Sequence, residues 1–302
     1  SIGNPRILEF NDNDIYKIFN RNVIVTSKPI KLKEYEIMQF RAPGSKSETN
    51  RIILIAAFGK GRCVIKDGLI CDDTIYMINA LQSCGINIII KENDIIVDGC
   101  NCELFDNGKE IIPKEIYVGN SGTCMRFLLP VLSASIPYND FSIILRGNKW
   151  MDKRPMTDLV NILNNHGCNI YENPIRMDCT KRFNGGYIEF EDGISSQYIS
   201  GIMMSASHIT NDTNIKISKK YPSLTFVKLT YEMMKKFNIK IDQKEDDDYL
   251  YYNINPCSYK NPQNIVIECD ATACVYPIVY SILNDINMTI ENIKESNKQG
   301  DF

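Results

Sequence analysis

Histidine and tryptophan are nearly missing from this sequence: there are two histidines, His166 and His208, and one tryptophan, Trp150. The two histidines stand in unrelated contexts, and a zinc site needs four well-placed ligands, so no metal site is expected. There are 11 cysteines but no C-x-x-C pair; Cys100 and Cys102 come closest. Free thiols in a reducing compartment are the expected state. No apolar run reaches membrane-spanning length, and no signal-peptide core opens the chain. The expectation is a soluble, cytoplasmic protein with no membrane partner. A strong excess of one charge is also lacking, because net charge is −3. That excludes a general polyanion binder, and nucleic acid is not an expected partner. Any anion site has to come from local geometry.

What is present is an ordinary globular composition, 44% hydrophobic and 24% charged, over 302 residues. That length suits one large or two medium domains. Residues 1–20 are polar and look peripheral, with a short helix-like stretch, DNDIYKIF. The segment 22–41 reads as extended, with Pro29 as punctuation. A pattern then recurs. Helices open on small polar residues in SKSETNRIILIAAF, NSGTCMRFLLPVL, SSQYISGIMMSA and DATACVYPIVYSIL, at a spacing of about 75 residues. Each of the first three is followed by strand-like runs and a second amphipathic helix. That second helix ends at Gly85, Gly167 or Asn238, residues that adopt a left-handed cap cheaply. Three copies are complete. The fourth starts at Asp270 and would leave Ile278, Val279, Ile282 and Leu283 without a partner layer, so the chain reads as a fragment.

The helix starts carry the chemistry. In APGSKSETNR, residues 42–51, a turn at Pro43 and Gly44 leads into Ser45, Lys46 and Ser47, where unpaired backbone N–H groups and the helix dipole favour anions. Lys46 adds a point charge, and Arg51, one turn on, can fork onto a carboxylate or phosphate. Alone, this is an ordinary capped helix with a solvated lysine. The feature recurs in GNSGTCMR, where Gly122 allows close approach of a ligand. It recurs again at Ser195, Ser196 and Gln197, and in ECDATA with Asp270 as cap. Four such starts in a repeat could converge on one cleft and gather a multiply charged anion.

These segments resemble the EPSP synthase family. APGSKSETNR resembles its lysine signature and GNSGTCMRF its second signature. KWMDKRPMTDLV, SSQYISGIMMSA, ISKKYPSLT, IECDATACVYPI and QGDF follow in the family's order, so the resemblance runs from about residue 23 to the end. It is strongest to the EPSP synthase region of the fungal-type multifunctional arom polypeptide. The resemblance implies an α/β fold of two lobes, each of three βαβαββ units, with only the first lobe complete. Residues 1–21 would be a linker or the tail of a preceding domain. Residues 22–43 would be leading strands of lobe two, 44–266 lobe one, and 267–302 the start of the truncated remainder. It also implies transfer of the enolpyruvyl group from phosphoenolpyruvate to shikimate 3-phosphate, with no cofactor, in a chain fused to other shikimate-pathway domains.

Site roles follow by position. Lys46 matches the catalytic lysine that contacts both substrates. Ser47 and Arg51 match contacts to the shikimate ring and carboxylate. Ser195, Ser196 and Ser218 match ligands of the shikimate phosphate, and Tyr221 matches a wall of that pocket. Gln197 matches a side chain between the two substrates. Asn120 and Gly122 match the phosphoenolpyruvate side, where the herbicide glyphosate competes in this family. Further carboxylates, a lysine and two arginines of the family would fall beyond Phe302. Three departures from the family pattern stand out: Ser121 replaces Ala, Pro222 and Ser223 alter a loop beside Tyr221, and Trp150 stands at the arginine expected to grip phosphoenolpyruvate. If KWMDKRP has shifted locally, Lys149 or Arg146 would supply that charge. Two other readings are weighed: a catalytically degraded structural domain, and UDP-N-acetylglucosamine enolpyruvyl transferase, which uses a cysteine in a flexible loop near its second repeat, whereas Cys124 here lies within the GNSGT segment.

Overall fold

The computed structural model describes residues 37–102, 104–106, 109–110, 113–136, 140–193, 195–293 and 299. The expected helix in residues 1–20 and most of the extended segment 22–41 lie outside these residues.

The first described strand, β1 (Met38–Phe40), leads to helix α1 (Lys46–Phe58). The run IILIAAF makes α1 apolar on every side, and such a helix must be enclosed; residues 48–58 are all buried. There follow β2 (Lys60–Lys66), α2 (Asp72–Ser83), β3 (Asn87–Lys91), β4 (Asp94–Cys100) and a small hairpin, β5 (Phe105–Asp106) with β6 (Lys109–Glu110). The second unit is β7 (Glu115–Gly119), α3 (Gly122–Ser135), β8 (Ser142–Gly147), α4 (Thr157–Asn165), β9 (Ile170–Tyr171) and β10 (Ile175–Asp178). The third is β11 (Gly186–Phe190), α5 (Ser196–Ala206), β12 (Thr213–Ser218), α6 (Leu224–Lys235), β13 (Ile241–Glu245) and β14 (Tyr249–Ile254). Last come β15 (Asn264–Val266), α7 (Ala271–Asn284) and β16 (Met288–Ile290).

Three four-stranded sheets result, in the orders β15-β2-β4-β3, β7-β8-β10-β9 and β11-β12-β14-β13. In each, the first two strands run parallel and the other pairings are antiparallel. The plan is therefore βαβαββ three times over, with one substitution. The first sheet takes its leading strand from β15, which lies beyond the third unit and sets Ile265 against Ile65. The chain end of the third unit thus closes the first.

The three second helices stop as the sequence indicates. Gly85, Gly167 and Asn238 have φ of +83°, +102° and +59°, the left-handed geometry that Gly and Asn reach most cheaply. The inner helices α3 and α5 cross closely at Gly201, where a Cβ would stand 2.4 Å from the Arg126 carbonyl oxygen. One large apolar cluster joins all three units. A separate small one holds Ala42, Cys269 and Cys274 with Phe40, Ile290 and Ile293 around β1, α7 and β16. On α7, Ile278, Val279, Ile282 and Leu283 are exposed. The cysteines are thiols without disulfides. Among the described residues no helix is long and apolar enough to cross a membrane.

His208, just after α5, packs edge-on against Phe58 and Tyr259 with Nδ1 on the Cys102 thiol. The residue is half-buried, and Nε2 is enclosed with no hydrogen-bond partner among the described residues. Burial lowers its pKa to about 3. The folded pKa lies below the unfolded one, so between pH 6.5 and about 3 the unfolded chain takes up a proton that the folded chain refuses. Stability therefore falls as pH falls through that window, by about 2 kcal/mol at pH 5 for this residue. His208→Phe is expected to flatten the dependence of urea-unfolding stability on pH between 7 and 5. An unchanged slope would contradict the assignment.

Candidate active site

Four helix starts are built alike. Ser45, Ser121, Ser195 and Asp270 are the N-caps of α1, α3, α5 and α7, and each side chain accepts from a backbone N–H in the first turn. Ser121, a departure from the family pattern, is thus a cap: its Oγ accepts from Cys124 N at 3.2 Å. First-turn residues of all four helices line one open cleft of about 690 Å³. They include Lys46 and Ser47 from α1, Thr123 from α3, Ser196 and Gln197 from α5, and Thr272 from α7. The convergence anticipated from the repeat is present, and four positive helix ends face one space.

Asp270 joins two of these starts. Its Oδ1 caps α7 by accepting from Ala273 N at 3.1 Å, while Oδ2 accepts from Lys46 N at 3.2 Å. Lys46 itself stands in the first turn of α1, where a cation opposes the helix dipole. Its ammonium pairs with Asp73 Oδ2 at 3.1 Å and remains half exposed. A partly exposed pair of this kind contributes little to folding, so the lysine is not there for stability.

Arg51 lines the cleft yet is 2% exposed. Nε donates to Thr230 Oγ1 at 2.7 Å, Nη1 to the Ser47 carbonyl at 2.9 Å, and Nη2 to Ser200 Oγ and the Phe226 carbonyl at 3.2 and 3.3 Å. Its ring neighbours are Phe127 and Phe226. Burial draws its pKa down to about 9, against the opposing pull of Glu48, so it stays charged at neutral pH. A guanidinium has five N–H donors, and the structure leaves one for a ligand rather than a fork. Arg51→Ala is expected to destabilise the fold by about 2–3 kcal/mol, because buried oxygens lose their donor. A thermal melt unchanged from wild type would show that the guanidinium is a ligand group only.

Two arginines meet near the start of α3. Arg126 Nη1 donates to Gln197 Oε1 at 2.7 Å. An ideal Cβ on Gly122 would lie 2.6 Å from Arg154 Nη1 and 3.2 Å from Arg126 Nη1. Gly122 thus leaves room for two guanidinium groups. Sequence reasoning missed Arg126 and Arg154, although both sit inside quoted segments, GNSGTCMRF and KWMDKRPMTDLV. Near Gly122 the cations present are Arg154 and Arg126, not a residue at position 150. Trp150 is 56% exposed, with the Lys149 and Lys153 ammoniums 5.2 and 5.1 Å from its ring centre. Arg146 pairs with Glu115.

Of the residues singled out in the sequence, Lys46, Ser47, Arg51, Ser195, Ser196 and Gln197 share the cleft. Gly122 borders it through Arg126, which lines the cleft. Asn120 is exposed in the turn before α3, and Ser218 is buried at the end of β12 with its Oγ accepting from Lys220 N. Tyr221 does not line the cleft. Its hydroxyl donates to the Ser195 carbonyl at 3.4 Å, bracing that cap from behind, and burial pushes its pKa up to about 12. Cys124 is wholly buried and burial drives its thiol well above the usual range. A reactive cysteine needs exposure and a lowered pKa, and Cys124 has neither.

A lobe of repeated βαβαββ units whose helix starts and arginines face one cleft defines an α/β protein suited to small, multiply charged anions. Comparison with known proteins makes this specific. The family model described as EPSP synthase (3-phosphoshikimate 1-carboxyvinyltransferase) matches residues 37–302, and the chain belongs to the EPSP synthase family. It is 36% identical to the pentafunctional AROM polypeptide of Eremothecium gossypii over 86% of this chain and 17% of that polypeptide. To the pentafunctional AROM polypeptide of Komagataella phaffii it is 34% identical over 98% of this chain and 19% of that one. Two solved structures of EPSP synthase from Acinetobacter baumannii share its fold. The TM-scores are 0.65 and 0.68 at 22% and 19% identity, over 80% and 85% of this chain and 52% and 56% of those chains. The chain therefore spans under a fifth of these curated relatives and a little over half of the solved structures.

Proposed function

We propose that the cleft binds shikimate 3-phosphate and phosphoenolpyruvate and serves transfer of the enolpyruvyl group between them. The observation that carries this reading is the convergence of four capped helix starts with Lys46 and Arg126 on one open cavity, with Arg154 next to Arg126 at Gly122. In this reading Ser195 and Ser196 hold the phosphate of shikimate 3-phosphate at the start of α5, and the free donor of Arg51 meets the carboxylate. Gln197 lies between the substrates. Arg154, beside Gly122, takes the charge of phosphoenolpyruvate. Lys46 reaches both substrates and is the proton-carrying group on this lobe. The 5-hydroxyl oxygen gives up its proton to a base and bonds to C2 of phosphoenolpyruvate as an acid delivers a proton to C3. Loss of phosphate and of a C3 proton then restores the double bond, which calls for acid and base in turn.

In the same reading residues 44–266 form one lobe, closed by β15, and the small cluster around β1, α7 and β16 belongs to the other. The protein is cytoplasmic and is fused to other shikimate-pathway domains, as its AROM relatives suggest. The test is a phosphate-release assay on the full-length protein. Release should require both substrates together. Release that needs only phosphoenolpyruvate, or none with both present, would refute the transfer.

A further inference from the structure

Gln197 has a side-chain amide fixed at both ends. Its Oε1 accepts from Arg126 Nη1 at 2.7 Å, and its Nε2 donates to Thr123 Oγ1 at 3.0 Å. Arg126 is itself held in place. Nη2 donates to the Pro155 carbonyl at 3.3 Å, and the guanidinium lies over the Tyr198 ring at 5.4 Å. Tyr198 donates to the same carbonyl at 2.6 Å. Gly201 lets α3 approach α5 closely enough for this link. Among the described residues no carboxylate forms an ion pair with Arg126, and the like charge of Arg154 nearby acts against its protonation. A guanidinium cannot accept a hydrogen bond, so its contact fixes which end of the amide is oxygen. With Oε1 held and one N–H on Thr123, a single N–H of Gln197 remains for the cleft.

We propose that Arg126 is a positioning residue that turns Gln197 into a dedicated hydrogen-bond donor, so that the ligand atom opposite Gln197 is an acceptor oxygen. This rests on the reading of the cleft as an enolpyruvyl-transfer site. Arg126 lines the cleft, and the role proposed here is exercised through Gln197.

The test uses turnover of the full-length protein in Arg126→Met, Gln197→Ala, the double variant, Arg126→Lys and Gln197→Glu. Arg126→Met is expected to lower kcat/KM by about 10–10²-fold, the scale of a misplaced contact. The double variant should be no worse than Gln197→Ala within about threefold, because residues acting as one unit are not additive. Arg126→Lys, which keeps a cation for Oε1, should recover most of the loss. Gln197→Glu keeps the Arg126 contact but has no N–H, and should be as poor as Gln197→Ala. Losses that multiply in the double variant would overturn the proposal, as would a fully active Gln197→Glu. The latter result holds even if Arg126→Met fails to fold. A wild-type protein without turnover would instead bring down the functional reading itself, and this inference with it.

Discussion

Replacing Arg154 with alanine is expected to reduce kcat/KM for phosphoenolpyruvate by about 10²–10³-fold while Trp150→Arg changes it by less than about twofold. The first figure is the usual cost of removing a group aimed at charge in the transition state, about 2.7–4 kcal/mol. Arg154 is exposed on the segment between β8 and α4, with its guanidinium over Gly122 and beside Arg126. Removing it leaves no buried oxygen unpaired, so the melting temperature should hold. Trp150 projects to solvent between two lysines, and a charge added there is screened from the cleft. Steady-state kinetics of the two variants decide the matter. A large gain in Trp150→Arg with little loss in Arg154→Ala would show that the site lacks its cation and that the domain is degraded.

Lys46→Met should be comparably damaging to turnover, about 10²–10³-fold in kcat/KM, yet harmless to the fold. The ammonium sits at the positive end of α1 and has only a partly exposed pair with Asp73. The dipole penalty of about 0.3–1 kcal/mol and the weak ion pair oppose each other, so the melting temperature should move by no more than a few degrees. Shikimate 3-phosphate should still bind through the α5 start. A variant that loses stability in step with activity would place Lys46 in the scaffold instead of the chemistry.

The helix starts were legible in the sequence because capping is local. Ser45, Ser121, Ser195 and Asp270 lie within three residues of the groups they satisfy, and the left-handed stops at Gly85, Gly167 and Asn238 obey the same short-range rule. Long-range pairing was not legible. That β15 supplies the leading strand of the first sheet depends on a match between residues about 200 apart, Ile65 with Ile265. Arg51 read as an open ligand fork because nothing local shows that Thr230 and Ser200 close around it. Arg154 was not legible as a neighbour of Gly122, because the path of a turn-rich loop, not its order of residues, decides which side chain reaches it.

Calorimetric titration of the full-length protein with shikimate 3-phosphate and, separately, with shikimate tests the central claim most directly. If the converging helix starts form a phosphate site, shikimate 3-phosphate binds about 10²-fold more tightly, as one or two charge-assisted hydrogen bonds of about 1.5–3 kcal/mol each require. In that case Ser196→Ala removes much of the difference. Equal affinity for the two compounds would contradict the account.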